Sequence, residues 1–455
     1  MFVMCVRNIL SRSAFTVTLK RHSWRRCSTS QTETVDQVTT LLQLCVDRFF
    51  VSPGHANVEL FQRGLCCSYG PLGMELRRNL LDQWWYSVTR SGAQVFGINT
   101  LSSSSRETPT GGQGQLRIVE CEQLKQRLGQ KELSKGRLAE EVHMLLQRSP
   151  SMRTNLLQGA LEQFVPSLEL VNRKLPFGLA ETGLCFQPTS LGFSEVTQTS
   201  LVWFCSPRTS SQWLDHWTRQ RLKWWRKFAL SPSDFSSNEV QQEELEQAAS
   251  RGVRIIYNFP WGQEVLACVW SRGDAELLHI HKGDRSKLQH RDGRRSIPHV
   301  VSVTANMDRG AMAFLSNSLQ QLKREESKQK LHQRKKNCQR VLKLHPVLVP
   351  IKVALNIGRG ATVELRQICE GLLQEFLEAK ISVWPGYLET LPTSMEQLNA
   401  KYDEMGVLFT IIIGENTLES GLLQVRSRDT TIKETMHISE IKNFLFRYIS
   451  AADNI

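Results

Sequence analysis

Apolar residues recur with a helical period in two segments near the start of the chain. In residues 33 to 50 the apolar positions are Val35, Val38, Leu41, Leu42, Cys45 and Phe49. The second segment begins at the Gly70-Pro71 pair, which favours a helix start, and its apolar positions are Leu72, Leu76, Leu80 and Trp84. Each stripe covers one side of a helix, so we predict two helices that pack against a core.

A helical insertion is predicted between residues 119 and 174. One amphipathic helix is marked by Leu138, Val142, Leu145 and Leu146, and a second by apolar positions from Leu156 to Val171, despite Pro166. Two helices joined by a short turn cannot bury both of their faces alone. A second copy of the same hairpin would complete a four-helix bundle, so we predict a dimer contact here. Packing of the hairpin onto its own domain is the alternative.

Short β-like runs dominate residues 175 to 315. Leu201–Cys205 and Val300–Thr304 are predicted to be central strands, and Trp213–Phe228 is predicted to be a helix. Residues 316 to 343 are expected to form a charged helical connector. The remainder predicts a β-α-β-α-β-β-α order and hence a mixed sheet with helices on its faces. Its expected strands are 347–355, 381–384, 407–413 and 422–426, and its expected helices are 362–380, 394–405 and 438–449.

Composition limits the class of protein. A chain of 455 residues exceeds one typical core and should divide into domains. The 11 cysteines show no ligand spacing, so no metal or cofactor is expected, and no apolar run is long enough to span a membrane. The first 32 residues contain six basic residues and no acidic one, which is typical of a mitochondrial transit peptide. A disordered basic tail is the alternative.

The formal charge of +13 favours a polyanionic partner, and two segments concentrate that charge. In the first, two aspartates accompany Lys282, Arg285, Lys287, Arg291, Arg294 and Arg295. The second spans residues 322 to 343, where the candidates are Lys323, Arg324, Arg334, Lys335 and Lys336. We predict that both contact phosphates of double-stranded DNA without reading sequence, and that salt weakens the binding. Solvated charged faces are the alternative.

Tryptophans of the predicted 213–228 helix are a further candidate for contact with nucleic acid. Trp213, Trp217, Trp224 and Trp225 lie among basic residues and could stack on bases. Their helical spacing favours a core stripe instead, so they are not assigned to a site.

Three motifs resemble those of class II aminoacyl-tRNA synthetases, closest to the glycyl branch. Leu175–Pro188 resembles the second motif, but Gln187 replaces the arginine that grips the α-phosphate of ATP, and an amide cannot supply that charged fork. Thr304–Phe314 resembles the third motif and keeps Arg309, while residues 304 to 306 lack its glycines. Residues 70 to 80 resemble the first motif, which the resemblance places at a dimer interface. The resemblance therefore implies a synthetase-like fold with a degenerate nucleotide site.

The C-terminal region resembles the anticodon-binding domain of these synthetases. Longer matching segments resemble the accessory subunits of mitochondrial DNA polymerase gamma: residues 208–217, 224–229, 257–262, 291–294 and 384–390. That resemblance implies a homodimer in the mitochondrial matrix, at the nucleoid. It further implies a protein that binds the catalytic subunit and primer-template, raises processivity and has no catalysis of its own.

The fold class implied by these observations is α+β. It combines an antiparallel synthetase-like sheet domain with a helical-hairpin insertion, and adds a C-terminal mixed α/β domain. The expected division is a transit peptide (1–32), the synthetase-like domain (33–118 and 175–342), the dimerisation insertion (119–174) and the C-terminal domain (343–455). That last domain is expected to contact the polymerase, with candidates Gly421, Arg426, Arg428 and Asp429. Plain hairpin structure is the alternative for these four residues.

Two other functions compete with an accessory subunit. One is an active mitochondrial glycyl-type synthetase, which would have to bind ATP despite Gln187. The other is a catalytically inactive, RNA-binding paralogue of such a synthetase.

Overall fold

The computed structural model describes residues 28–53, 68–90, 92, 94–104, 116–129, 134–189, 192–246, 249–291, 296–323, 338–358, 362–389 and 394–453. Its helices are α1 (Ser28–Asp47), α2 (Pro71–Thr89), α3 (Cys121–Leu128), α4 (Lys135–Arg148), α5 (Leu157–Glu162), α6 (Phe164–Leu170), α7 (Ser210–Lys227), α8 (Ala275–Ile280), α9 (Arg285–Leu288), α10 (Met307–Ser318), α11 (Val363–Glu378), α12 (Met395–Met405), α13 (Glu415–Ser420) and α14 (Ile438–Asp453). Its strands are β1 (Val95–Gly97), β2 (Ser103–Ser104), β3 (Ser151–Met152), β4 (Phe177–Thr189), β5 (Gly192–Cys205), β6 (Phe235–Glu239), β7 (Arg251–Phe259), β8 (Gly262–Gly273), β9 (His299–Asn306), β10 (Leu319–Lys323), β11 (Cys338–Leu342), β12 (Val353–Ile357), β13 (Val383–Trp384), β14 (Phe409–Ile413), β15 (Leu422–Ser427) and β16 (Lys433–His437).

A seven-stranded sheet organises the first domain, with strand order β1-β4-β5-β9-β8-β7-β6. The two predicted central strands lie in β5 and β9, which pair in the middle of the sheet. Leu201 and Val303 are register partners, and the side chains two residues away from each lie on the same apolar face. Helices α2, α7 and α10 cover this face. The predicted stripe of α2 and three of the four tryptophans of α7 are buried, which confirms their structural role.

The opposite face carries an apolar cluster at one end of the sheet. There Phe177 and Phe204 meet Phe164 of α6, whose ring centroid lies 4.6 Å from that of Phe204. The single helix expected from 156 to 171 is wrong: α5 and α6 are separate, and they pack on this face. Pro166 lies in the first turn of α6, where its missing N–H costs little. The helix that pairs with α4 is α3.

The expected helical connector between residues 316 and 343 is also wrong. Helix α10 ends at Ser318, and β10 and β11 form an antiparallel pair in which Lys323 and Cys338 are register partners. Strand β11 is held by the C-terminal domain, because Arg340 donates to Glu404 of α12 over 2.8 Å. Residues 324–337 lie outside the described residues.

The C-terminal domain contains the predicted mixed sheet, with strand order β13-β12-β14-β15-β16. Strand β12 is parallel to β13 and β14, whereas β15 and β16 are antiparallel to their neighbours. The predicted capping box is present, since the Ser394 and Gln397 side chains each accept from the other's backbone N–H. Strand β16 was not predicted, because its exposed polar residues carry no apolar alternation.

Candidate functional sites

The polar face of the large sheet includes Glu181 and Gly183 of β4, within the segment Leu175–Pro188 that resembles the second synthetase motif. Glu181 of β4 is only 1% exposed and accepts hydrogen bonds from Thr100 N (2.8 Å) and Arg153 Nη1 (3.0 Å). Arg153 also donates from Nε to Leu184 O over 2.8 Å. A Cβ at Gly183 would lie 2.0 Å from Arg153 Nη2, so this glycine lets the guanidinium lie directly on the strand. The Arg153 side chain therefore occupies the sheet face beside the motif.

Other arginines around this face are also paired with carboxylates of the chain. Arg272 donates from Nε to Ser302 Oγ (2.8 Å) and pairs with Glu246 and Glu276. Arg309, in the segment that resembles the third synthetase motif, donates to Val265 O over 2.9 Å and lies 3.5 Å from a carboxylate oxygen of Glu264. These guanidinium groups are thus held by internal acceptors.

The described residues contain a buried thiol on this sheet, but neither a metal site nor a membrane-spanning helix. Burial raises the pKa of the Cys185 thiol to about 12, so this side chain is neutral at physiological pH. In the part of the chain that the structure describes, no three His, Cys, Asp or Glu side chains are arranged to hold a metal ion. Within the same part, every helix is too short or too polar to cross a membrane.

The first predicted basic cluster lies on an exposed segment that contains α9. Lys282, Arg285, Lys287 and Arg291 are all exposed, whereas Arg294 and Arg295 lie outside the described residues. Leu288, in the same segment, is fully buried against the sheet. This buried anchor fixes the segment, so its cationic side chains project from a defined position.

Asp284 is the acidic residue within this cluster. It accepts from Ser286 N (3.1 Å) and lies 3.1 Å from Lys287 Nζ. The hydrogen bond from the Ser286 hydroxyl, and after it the interaction with Lys287, lower the pKa of Asp284 to about 2. One of the cluster's positive charges is therefore partly offset within the chain.

Two further basic residues join this cluster in three dimensions. Arg291 N donates to Arg173 O (2.8 Å), and Arg173 Nη1 donates to Gln289 O (3.0 Å). Lys174 follows in the chain and is exposed. Local charge in the sequence does not assign Arg173 and Lys174 to this cluster, because more than a hundred residues separate them from Arg291.

The second basic cluster is described only at its edges. Lys323 ends β10, and nothing is described of its side chain. Arg324, Arg334, Lys335 and Lys336 lie outside the described residues. The structure therefore fixes where this segment leaves and rejoins the fold, between Lys323 and Cys338.

Two of the four predicted polymerase contacts are buried inside the C-terminal domain. Arg426 is 6% exposed and donates to both carboxylate oxygens of Asp403, over 2.8 and 2.9 Å. Arg428 is 3% exposed and donates to Leu342 O (3.2 Å), Gly406 O (2.9 Å) and Leu344 O (3.0 Å). Both guanidinium groups point inward, so a direct role for either in binding another protein does not fit their positions.

The other two candidates lie nearer the surface. Asp429 is exposed, and Gly421 forms the turn before β15 with a φ of +68°. A Cβ at Gly421 would lie 2.6 Å from His437 Nε2, and Gly421 O accepts from Ile438 N over 2.8 Å. Gly421 therefore fixes the start of α14.

A groove of about 450 Å³ adjoins this turn. It lies between α11 and α14 and is lined by Ile368, Gly371, Leu372, Glu375, Ile438 and Ser439. A Cβ at Gly371 would meet no other heavy atom within 4 Å. On α14, Phe446 is 63% exposed. This groove is not predictable from local sequence, because two helices that are distant in the chain form it.

The hairpin of α3 and α4 has an apolar side without a full cover in the single chain. None of its helical residues is buried. Leu138, Val142, Leu145 and Leu146 are only partly covered, and Met144 is 46% exposed. An ion pair between Arg127 and Glu141 holds the two helices together.

Similarity to known proteins extends over nearly the whole chain. DNA polymerase subunit gamma-2 of Bos taurus is 48% identical over 427 residues, which cover 91% of this chain and 86% of that protein. DNA polymerase subunit gamma-2, mitochondrial, of Xenopus laevis is 46% identical, covering 93% of this chain and 90% of that protein. The chain belongs to the DNA polymerase subunit gamma-2 family.

More distant similarities explain the architecture of this family member. A glycine-tRNA ligase of Thermus thermophilus is 27% identical over 65% of this chain and 62% of its own length. The sequence model of the anticodon binding domain matches residues 347–447. A crystal structure of prolyl-tRNA synthetase from Cryptosporidium parvum, complexed with L-proline and AMP, shares the fold: the TM-score is 0.60 at 11% identity, over 91% of this chain and 78% of the synthetase. The predicted synthetase-like fold class and the family resemblance are confirmed.

Proposed function

We propose that this chain is the non-catalytic accessory subunit of mitochondrial DNA polymerase gamma. In this role it binds the catalytic subunit and raises both the affinity of that subunit for primer-template and its processivity. The observation that carries this proposal is the near-full-length similarity to proteins named DNA polymerase subunit gamma-2. The Xenopus relative is named mitochondrial, which supports a mitochondrial location. We extend this to the matrix and its nucleoids, with residues 1–32 as the targeting segment.

The absence of catalysis is supported by the polar sheet face. Gln187 cannot supply the charged fork that a synthetase directs at ATP. Arg153 lies on β4 at Gly183, and its partner Glu181 is buried beneath it. Arg309 is engaged by Val265 O and by Glu264. A face whose cations are bound internally would have to break these contacts before it could hold a triphosphate.

DNA contact is proposed for the basic cluster around α9. Lys282, Arg285, Lys287 and Arg291 are exposed, with Arg173 and Lys174 beside them. Two carboxylates oppose this charge among the described residues: Asp284 lies against Lys287, and Glu169 pairs with Arg173 over 2.7 Å. Phosphate contacts of this kind give affinity without sequence preference. Lys323, Arg324 and Arg334–Lys336 would add charge from the segment between β10 and β11.

Homodimerisation is proposed through α3 and α4. Their half-covered apolar side is the part of the 119–174 insertion that remains for a partner, since α5 and α6 pack on their own sheet. A second copy of this hairpin would bury the exposed Met144 and the partly covered leucines.

The catalytic subunit is proposed to dock on the groove between α11 and α14. Ile438 connects the groove to Gly421 through a backbone hydrogen bond, so the predicted contact turn and the groove form one continuous surface. Exposed Asp429 follows β15 of the same domain. Arg426 and Arg428 would support this surface from within.

Affinity capture from mitochondrial matrix tests the function. The full mature chain should retain the catalytic subunit of DNA polymerase gamma together with mitochondrial DNA, and nuclease treatment should release the DNA but leave the protein complex. Retention of tRNA without the polymerase would replace the proposal with the RNA-binding alternative. Glycine-dependent exchange of pyrophosphate into ATP would instead establish an active synthetase.

A further inference from the structure

Helix α7 buries an arginine that has no acidic partner. The Arg221 side chain is 4% exposed, and Nη1 donates to Ser87 Oγ of α2 over 2.9 Å. Its Nε is buried without an acceptor. Across the described ranges, no carboxylate lies within ion-pair distance of this guanidinium. A buried charge without a counterion is costly, which makes its environment informative.

Three more buried donors lie on the same side of α7. Trp217 Nε1, Thr218 Oγ1 and Trp224 Nε1 are each buried and have no hydrogen-bond partner. They are four and three residues before Arg221 and three residues after it, so Trp217, Arg221 and Trp224 lie on one face of the helix and Thr218 lies beside that face, one turn before Arg221. The guanidinium carbon lies 5.8 Å from the centre of the Trp217 ring. Indole and guanidinium groups only donate hydrogen bonds, so this face requires an acceptor.

The neighbouring helix supplies only part of the missing negative charge. Ser87 lies in the last turn of α2, and its hydroxyl donates to Trp84 O over 2.6 Å. A helix C-terminus carries roughly half an elementary negative charge, which cannot balance a full guanidinium charge. Burial lowers the pKa of His216, and the charges of Arg219 and Arg221 lower it further. The positive field of Arg221 therefore reaches its neighbours.

We propose that the interface of α7 and α2 binds a small inorganic anion, chloride or phosphate, through Arg221 Nε, the indole N–H groups of Trp217 and Trp224, and the Thr218 hydroxyl. Because the guanidinium is almost completely covered, a phosphate of DNA or a carboxylate of a partner protein cannot reach it. The site lies on the apolar face of the large sheet, which is the face opposite Glu181 and Arg153. The anion would connect α7 to α2 within the core of the first domain.

Diffraction from the unmodified mature protein provides a direct test. Crystals grown in sodium bromide should show an anomalous peak within hydrogen-bonding distance of Arg221 Nε, and crystals grown in potassium phosphate distinguish the two ions by a tetrahedral density at the same place. An ordered water at this position in both salts, without an anomalous peak, would overturn the proposal.

Thermal unfolding of the same protein gives a second measurement. In chloride or phosphate at ten times its dissociation constant, Tm should exceed that in gluconate of equal ionic strength by about 2–4 °C. Arg221→Met should abolish this difference, and Trp224→Phe, which keeps the ring but removes the N–H, should reduce it. Equal Tm values in all three salts would contradict anion binding, and the unmodified protein decides this even if Arg221→Met does not fold.

Discussion

The buried ion pair between Arg426 and Asp403 permits a sharp test of whether Arg426 supports the fold or contacts the catalytic subunit. Arg426→Met removes the charge and both hydrogen bonds while keeping an unbranched side chain of similar reach. Asp403 is 1% exposed and would stay buried without its counterion. Removal of one member of such a pair costs about 3–5 kcal/mol of unfolding free energy.

This loss should appear as a large change in thermal stability. At ~4 °C per kcal/mol for a domain of about a hundred residues, Tm of the C-terminal domain should fall by about 12–20 °C. Adding Asp403→Leu to Arg426→Met should restore most of the loss, because a matched apolar pair leaves no buried charge. Calorimetry of the full mature chain measures both effects.

Lys433→Met is a matched control for the lost charge. Lys433 is the register partner of Arg426 on β16 and is exposed, so its replacement should change unfolding free energy by less than about 0.5 kcal/mol. Below the unfolding transition, Arg426→Met should still bind the catalytic subunit. An unchanged Tm together with lost binding would refute the structural role and assign Arg426 to the interface.

Three further predictions concern the proposed binding surfaces. Lys287→Glu with Arg291→Glu should weaken duplex binding in gel-shift assays and reduce the log–log salt slope by about 2. The control pair, Arg219→Glu with Lys223→Glu, changes two exposed side chains of α7 and should have little effect. Equal losses in both pairs would remove the special role of the α9 cluster. Val142→Asp should convert the dimer to a monomer in sedimentation velocity, because a carboxylate would be buried in the bundle. The control, Gln147→Asp at an exposed position of the same helix, should leave a dimer. A dimeric Val142→Asp protein would place the contact elsewhere. Gly371→Glu should reduce affinity for the catalytic subunit at least about tenfold by placing a charge in the groove. It should not lower Tm, because a Cβ at this position meets no other atom, and Gly371→Ala is the control. Normal co-purification of Gly371→Glu would exclude the groove as the docking site.

The sequence predicted those elements whose burial imposes a period. The α2 stripe, the central strands β5 and β9 and most of the C-terminal sheet were recognisable because one side of each meets the core. Strand β16 has no such side, and its pairing with β15 holds it in place. Strand β11 was hidden by the charged residues around it, although Val341 and Leu342 are buried.

The candidate sites were less predictable because their character depends on distant partners. The basic residues around α9 could be named from local charge, but Arg173 joins them only through backbone contacts formed in the fold. Arg426 would ordinarily be expected at the surface, and only its pairing with Asp403 explains its burial. Arg153 lies on β4 because Gly183 leaves room for its guanidinium, a relation that no local pattern contains.

The pairing of Lys323 with Cys338 has a consequence for how this family can vary. Register partners on adjacent strands are only about 5 Å apart, so the Lys323 end of β10 lies beside the Cys338 start of β11. Doubling the length of such a connection costs only about 0.6 kcal/mol of closure entropy. Insertions, deletions and exchanges of basic residues can therefore accumulate between these two positions while β10, β11 and both domains keep their packing. This position is a natural place to graft a longer or differently charged arm.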